Sequence, residues 1–247
     1  MIDPAAYSAL DSKRFGIRVF RARVDTVEAA SDLMQSAPCA DLDLLIVRCP
    51  VEAVAAAQVL ERAGCFLTDT LVVYRGPTGG FAPSPTPSTC IRPCQEADRA
   101  ALEGIARAAF AGFFGHYHAD PRLDPGAATE GYVQWASSAL ADAGAVVLVS
   151  ETEGRLSGFL TAKKLDGKTW EILLNGGAPE FQRRGIYAAL FREIGCRACL
   201  HGAAELLVST QLANVAPQKV WTRAGLELDH ALYTFHWWNT RVPGRPR

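Results

Sequence analysis

The sequence predicts an α/β fold in two parts, and three observations carry that prediction. Short apolar runs of strand length alternate with stretches of helical periodicity along most of the 247 residues. The stretch from Trp170 to Trp238 reads strand, turn, helix, strand, helix, strand. A segment rich in proline and glycine, GPTGGFAPSPTPS from Gly76 to Ser88, interrupts the alternation and divides the chain. The parts are taken as residues 1–78 and 89–247, with 79–88 as linker.

In the first part the pattern predicts a strand at 17–24, a helix at 27–36, a strand at 42–48, a helix at 51–63 and a strand at 70–75. The second part opens on a strand at 89–91 and a helix at 95–110, capped near Cys94, with a short helix at 130–140. Strands at 145–151 and 155–164 form a hairpin, because Glu153-Gly154 supplies a tight turn. The run Ile172-Leu173-Leu174 is a strand stopped by Gly176, Gly177 and Pro179. From Arg184 to His201, Ile186, Ala189, Leu190 and Ile194 recur at helical spacing. A strand at 206–210, a helix at 216–224 and a strand at 232–238 complete the chain. Arg62-Ala63-Gly64 and Arg223-Ala224-Gly225 both end a helix before a strand. That echo fits either a degenerate half copy or two ordinary glycine-capped corners.

Composition narrows the function classes. The chain is 49% hydrophobic and 21% charged with net charge -1, and no Lys/Arg run exceeds two residues. Gripping a nucleic acid polymer or anionic lipid needs a basic field, so neither partner is expected. No apolar stretch reaches the roughly 20 residues of a membrane span. The N-terminal MIDPAAYSALDSKRFG lacks the basic-then-apolar order of a secretion signal, so a cytoplasmic location and reduced thiols are expected for the seven cysteines. Two close pairs, Cys90/Cys94 and Cys196/Cys199, invite a zinc reading. The second lies inside a predicted helix rather than on the tight turn a zinc ribbon uses, so buried structural thiols are the expectation and no metal is assigned.

The chemistry concentrates at Gln182-Arg183-Arg184-Gly185-Ile186-Tyr187-Ala188. A glycine-bearing turn that opens a helix just after a strand presents several unpaired backbone N–H groups at one point, which makes an anion site suited to a diphosphate. With Asn214 and the terminal Ala-Gly-stopped helix and aromatic strand, this turn resembles the GNAT superfamily of acyl-CoA-dependent N-acyltransferases over about residues 89–238. The resemblance implies a mixed, mostly antiparallel sheet flanked by helices, preceded by a smaller partial GNAT-like domain. It implies acetyl-CoA as co-substrate, its diphosphate on the amides of Arg183 to Ala188. Its pantetheine arm would lie along the strand near Leu174, Asn175, Gly176 and Gly177, and Asn214 would contact the arm or simply cap its helix.

Two departures stand out. The last turn position, usually Gly or Ala in that family, is Tyr187. Where many members carry a tyrosine that protonates the departing thiolate, this chain has Trp221, whose indole N–H is no practical proton source. Tyr187 and Tyr233 are the candidate acids, with solvent as the alternative. A narrower resemblance, through Ser12-Lys13-Arg14-Phe15-Gly16, Tyr132-Val133-Gln134-Trp135 and Ser209-Thr210-Gln211, is to the bacterial dTDP-fucosamine acetyltransferase group, the nucleotide-aminosugar N-acetyltransferases. It implies an amine on a nucleotide-linked sugar as acceptor. A peptide N-terminus and a polyamine are the other amine classes.

The second patch is Phe113-Phe114-Gly115-His116-Tyr117-His118-Ala119-Asp120-Pro121-Arg122. It reads as a loop packed by its aromatics, or as acceptor recognition by His116, Tyr117 and Arg122, joined by Tyr132. His118 would be a base oriented by Asp120. The run His-x-His-x-Asp is similar to the first ligand run of metallo-β-lactamase-type hydrolases, but Pro121 stands where a further His is needed. On the last strand His236 and Tyr233, three apart, face opposite sides. Trp237 and Trp238 serve packing or a homodimer contact. The expected activity is direct acetyl transfer to a primary amine, with an amide near Gly176 and Gly177 polarising the carbonyl. The rival is a coenzyme A-binding sensor or docking module without turnover.

Overall fold

The structure, a computed structural model, describes residues 6–82 and 89–240. Most of the expected linker, residues 83–88, lies outside the described residues. The chain gathers into two compact units that are not contiguous in sequence. One takes the chain up to Val72, Phe114–Ala128 and the chain from His230 onward; the other takes Val73–Phe113 and Thr129–Asp229. A linear division near residue 78 has no room for the exchange of these two segments, because local periodicity does not report which sheet a returning segment joins.

The first unit carries α1 (Ala9–Phe15), β1 (Val19–Arg23), α2 (Val27–Ser36), β2 (Leu44–Pro50) and α3 (Val54–Arg62). It also holds the start of β3 (Phe66–Pro77) and most of β9 (Glu227–Trp238). β1 and β2 run parallel from Val19↔Leu44 to Arg23↔Arg48, and β2 meets β9 antiparallel from Leu44↔Trp238 to Pro50↔Leu232. The apolar run Leu44–Val47 of β2 is explained by its central place, buried on both faces. One face packs Leu45, Val47 and Phe235 under α2 and α3; the other packs Val19, Leu44 and Ile46 with Tyr117 and Leu123. Thr26 caps α2 by accepting from the Ala29 amide at 3.1 Å. α1 was not foreseen; it is short and stops at Gly16, where φ is 66°.

The second unit holds β4 (Thr89–Pro93), α4 (Arg99–Phe110), most of α5 (Pro125–Ser138), β5 (Ala145–Thr152), β6 (Arg155–Lys164) and β7 (Thr169–Gly177). α6 (Ile186–Leu200), β8 (Glu205–Gln211) and α7 (Val215–Arg223) follow. Strands β4 to β7 are antiparallel neighbours in chain order, and β8 adds parallel to β7. The hairpin turn has Glu153 at φ 56° and Gly154 at φ 72°, the left-handed pair of a two-residue turn that matches strand twist. Phe159, Leu148, Leu160, Phe191 and Trp221 form the centre of its core.

Two boundaries move for local reasons. The helix expected from residue 95 begins as a 3-10 turn whose capping box joins Gln95 and Asp98, so the cap is Gln95 rather than Cys94. α5 starts earlier than expected because Asp124 accepts from the Ala127 amide at 2.6 Å and Pro125 takes the first helical position. The Arg-Ala-Gly corners close alike: Gly64 and Gly225 sit at φ 86° and 89°. The next amide, Cys65 or Leu226, bonds Leu60 or Trp221 carbonyl at 3.0 Å.

Candidate active site

The site in the second unit starts from an open strand edge. β7 pairs with β6 out to Gly158↔Gly177, but its pairing with β8 covers only Thr169–Ile172. Beyond Ile172 the edge of β7 that faces β8, through Asn175 and Gly177, has no strand partner among the described residues, whereas Leu174, expected to line the arm, turns both its amide and its carbonyl to Thr161 on the β6 side. A register shift opposite Thr161/Ala162 marks where the strand bends, and Thr161 Oγ1 accepts from the Leu174 amide at 3.1 Å. An unpaired edge can take up an extended chain of amides as an added strand.

The chain then turns through Pro179–Phe181, with Phe181 buried beneath the Arg155 and Arg184 guanidiniums at 5.6 and 5.3 Å. Arg183 at φ 63° and Gly185 at φ 77° break the backbone into left-handed conformations just before α6. No side chain caps α6, and among the described residues the amides of Arg183 to Ala188 make no backbone hydrogen bond. These orphan donors converge at a helix N-terminus, the arrangement that holds a diphosphate. Gln182, Arg183, Arg184 and Gly185 are exposed, and Ile186 is buried as the anchor. Arg184 is also tied to Glu153 at 2.9 Å. The residues present therefore fit the co-substrate that the sequence implied, as extended amide arm plus diphosphate.

Asn214 stands at the start of α7 without capping it. Its Nδ2 donates back to Thr210 Oγ1 at 2.9 Å, and Oδ1 has no partner among the described residues. The two departures from the family pattern prove to be one feature. Trp221, 1% exposed, donates its indole N–H to the Tyr187 hydroxyl oxygen, and Tyr74 braces the indole edge-on at 5.3 Å. With its oxygen accepting from Trp221, the Tyr187 hydroxyl keeps its own proton to give. Burial raises its pKa, against the opposing hydrogen bond from Trp221, so the phenol is protonated at neutral pH.

Sequence reasoning missed Glu171 on β7. Its half-buried carboxyl has no partner among the described residues, and burial raises its pKa. The signal was an acid standing between Trp170 and Ile172, both buried in this strand.

The histidine segment belongs to the first unit. Asp120 is 1% exposed. Its Oδ2 accepts from His236 Nδ1 and from Trp238 Nε1, both at 2.8 Å, and its Oδ1 from the Arg122 amide at 3.1 Å. Burial works to raise the Asp120 pKa, but these donors prevail and hold it below the usual carboxylate value. His236 Nε2 lies 2.9 Å from His116 Nδ1. Asp120 thus orients His236, which the sequence reading left as a sheet residue. His118, its expected partner, turns its Nδ1 to the Gly115 amide at 3.4 Å. Tyr117 donates to Asp11 at 2.8 Å and meets Arg21, closing a buried clasp. Arg122 lies over the Phe66 and Trp238 rings at 5.5 and 5.6 Å.

Tyr132 belongs to the second unit, stacked on Phe110 at 4.8 Å. Tyr233 packs with Phe235 on the α2/α3 side of the sheet, opposite His236. Trp237 donates to the Ala63 carbonyl at 3.2 Å, so both terminal tryptophans bond within the unit. Among the described residues no group of three or more His, Cys, Asp or Glu side chains is arranged to hold a metal ion, and no helix is long and apolar enough to cross a membrane.

No family model matches the chain. The spore coat polysaccharide biosynthesis protein SpsD of Bacillus subtilis (strain 168) is 25% identical over 201 residues, which span 80% of this chain and 68% of that protein. A GCN5-related N-acetyltransferase from Sphaerobacter thermophilus matches in structure with a TM-score of 0.61 at 18% identity, covering 89% of this chain and 65% of that one. A tandem GNAT protein from the clavulanic acid biosynthesis pathway matches with a TM-score of 0.60 at 9% identity, over 87% of this chain and 69% of that one. The chain has the GNAT fold: a mixed, mostly antiparallel sheet flanked by helices.

Proposed function

We propose that the protein is an acetyl-CoA-dependent N-acetyltransferase acting on a primary amine, that of a nucleotide-linked amino-deoxy sugar, in the cytoplasm. The observation that carries the transfer is the second unit's pairing of an unpaired β7 edge with six converging backbone amides, Arg183 to Ala188. Acetyl-CoA supplies the acetyl group as co-substrate. Asn175 and Gly177 offer its arm backbone partners, Asn214 offers a free side-chain oxygen, and the turn holds its diphosphate. Tyr187, aimed by Trp221, is the acid that delivers a proton to the leaving thiolate. Placement is what the hydroxyl contributes: burial raises the Tyr187 pKa, so the phenol is held protonated and aimed to give its proton as the thiolate departs.

Two observations support the sugar acceptor. SpsD is named for polysaccharide biosynthesis, and Ser12–Gly16, Tyr132–Trp135 and Ser209–Gln211 resemble the nucleotide-aminosugar group. GCN5-related neighbours support acetyl transfer in general. The test is free-thiol release from acetyl-CoA with a panel of nucleotide-linked 3- and 4-amino-deoxyhexoses, polyamines and short peptides. Turnover with one aminosugar class supports the whole reading. Turnover with peptides or polyamines alone keeps the transferase and removes the sugar. Coenzyme binding without turnover on any amine points to a sensor module.

A further inference from the structure

The second unit holds a cavity of about 540 Å³ between α6 and α7, in the size range of a small-molecule site. One wall is built by the chain that leaves β3. There Thr78, 2% exposed, donates its hydroxyl to the Ala203 carbonyl at 2.6 Å and its amide to the Ala204 carbonyl at 2.9 Å. The Phe81 amide then donates to the Thr78 carbonyl at 3.1 Å, which holds the strap against α6. The Phe81 ring lies 5.8 Å from Phe191 and directly over Gly195, where an added Cβ would stand 2.4 Å from it. Any side chain at position 195 would displace that wall. Phe81, Phe191, Ala188 and Val220 make the cavity apolar, and its polar side chains are two arginines, Arg192 of α6 and Arg223 of α7. Among the described residues neither arginine makes a hydrogen bond or an ion pair, and no acidic side chain lines the cavity. Two guanidiniums that border one cavity repel each other, and a bound anion relieves that repulsion.

The cavity begins where the diphosphate turn ends. Ala188 supplies the last unbonded amide of that turn and also lines the cavity. Arg192 follows it on α6 by about one helical turn. In coenzyme A the diphosphate is followed at once by a ribose that carries a 3′-phosphate and adenine. An arginine pair beside aromatic walls suits that combination, a phosphate next to a planar base. We propose that the cavity takes this 3′-phosphorylated adenosine end, with Arg192 and Arg223 holding the phosphate and selecting coenzyme A over forms that lack it. The proposal rests on the acetyl-CoA reading above and names what fixes the far end of the same ligand. Arg223 also ends α7, where a cation meets the helix dipole. That role acts on stability alone, whereas a phosphate contact separates two ligands that differ only in the phosphate.

The experiment is calorimetry on the full chain with coenzyme A and with 3′-dephospho-coenzyme A. It compares the wild type with Arg192→Gln, Arg223→Gln and the double variant. The wild type should bind coenzyme A about tenfold more tightly than the dephospho form, and the gap should narrow as salt is raised. Each single variant should narrow the gap and the double variant should close it, with affinity for the dephospho form unchanged. A gap that is absent in the wild type, or that survives in the double variant, overturns the assignment and leaves the acetyl-CoA reading standing. Thymidine diphosphate is the third probe, because a nucleotide-linked acceptor offers the same chemistry. If it binds the wild type and loses affinity in the double variant while the coenzyme gap persists, the cavity belongs to the acceptor and the proposal is overturned. If the wild type binds neither coenzyme, the acetyl-CoA reading fails and the proposal falls with it.

Discussion

Tyr187 and Trp221 each break the family pattern when read alone, and each is explained by the other when read together. An indole that cannot give up its proton can still direct a phenol that can. Tyr187→Phe should lower kcat by about 10²-fold with coenzyme affinity held within a few fold, read by thiol release and calorimetry. An unchanged kcat would return the role to solvent. Trp221→Phe should cost about 1–3 kcal/mol of stability by leaving the Tyr187 oxygen unpaired, and should lower kcat less than Tyr187→Phe. A second residue-scale constraint is Gly176, where an added Cβ would stand 2.6 Å from the Phe159 ring. Gly176→Ala should destabilise the protein by about 1–3 kcal/mol, seen as a lower urea midpoint.

At the scale of elements, the decisive event is the break between β7 and α6. Two left-handed residues, Arg183 and Gly185, stop the chain from joining its helix smoothly, and the amides of the first helical turn are left without acceptors. A Cβ at Gly185 meets nothing within 4 Å, so Gly185→Ala tests backbone conformation alone. It should cost about 1–2 kcal/mol of strain and weaken coenzyme A binding measurably in calorimetry, while an alanine at exposed Arg183 should leave affinity nearly unaltered. Equal losses at both positions would mean that the side chains, not the amides, hold the diphosphate. This turn was legible in sequence because glycine spacing encodes φ directly. The open β7 edge was not, since strand splaying depends on where β8 stops pairing. Glu171 was equally hidden: an acid within an apolar strand reads as solvent-facing until burial is known.

For the whole molecule, the buried ionisable groups predict the response to acid. His116 is held neutral, with its folded pKa well below the usual 6.5, so the unfolded chain binds more protons once pH falls under 6.5. Stability should be complete above that value and decline below it. Asp11 and Asp120, with pKa values lowered from 3.8, add a second loss below about pH 4. Urea midpoints measured from pH 8 to 3 should show both phases, and His116→Gln should shrink the first to the part due to His118, whose pKa burial also lowers. Thiol chemistry gives an independent check on burial. Cys39, Cys90 and Cys199 are exposed and should react with a disulfide reagent in the native protein. Cys65, whose thiol burial pushes up to about 12, should react only on unfolding. The sequence by itself determined the order of nearly every element and the glycine turn ahead of α6, which follow from periodicity, glycine conformation and spacing within a few neighbouring residues, while the GNAT fold was what its resemblance implied. Tertiary structure alone decided that Trp221 directs Tyr187, that Asp120 orients His236 rather than His118, and that Phe114–Ala128 and the last strand join the first unit. Those pairings span 34 to 116 residues, and no local pattern encodes which distant side chain will complete a hydrogen bond once the sheet has closed.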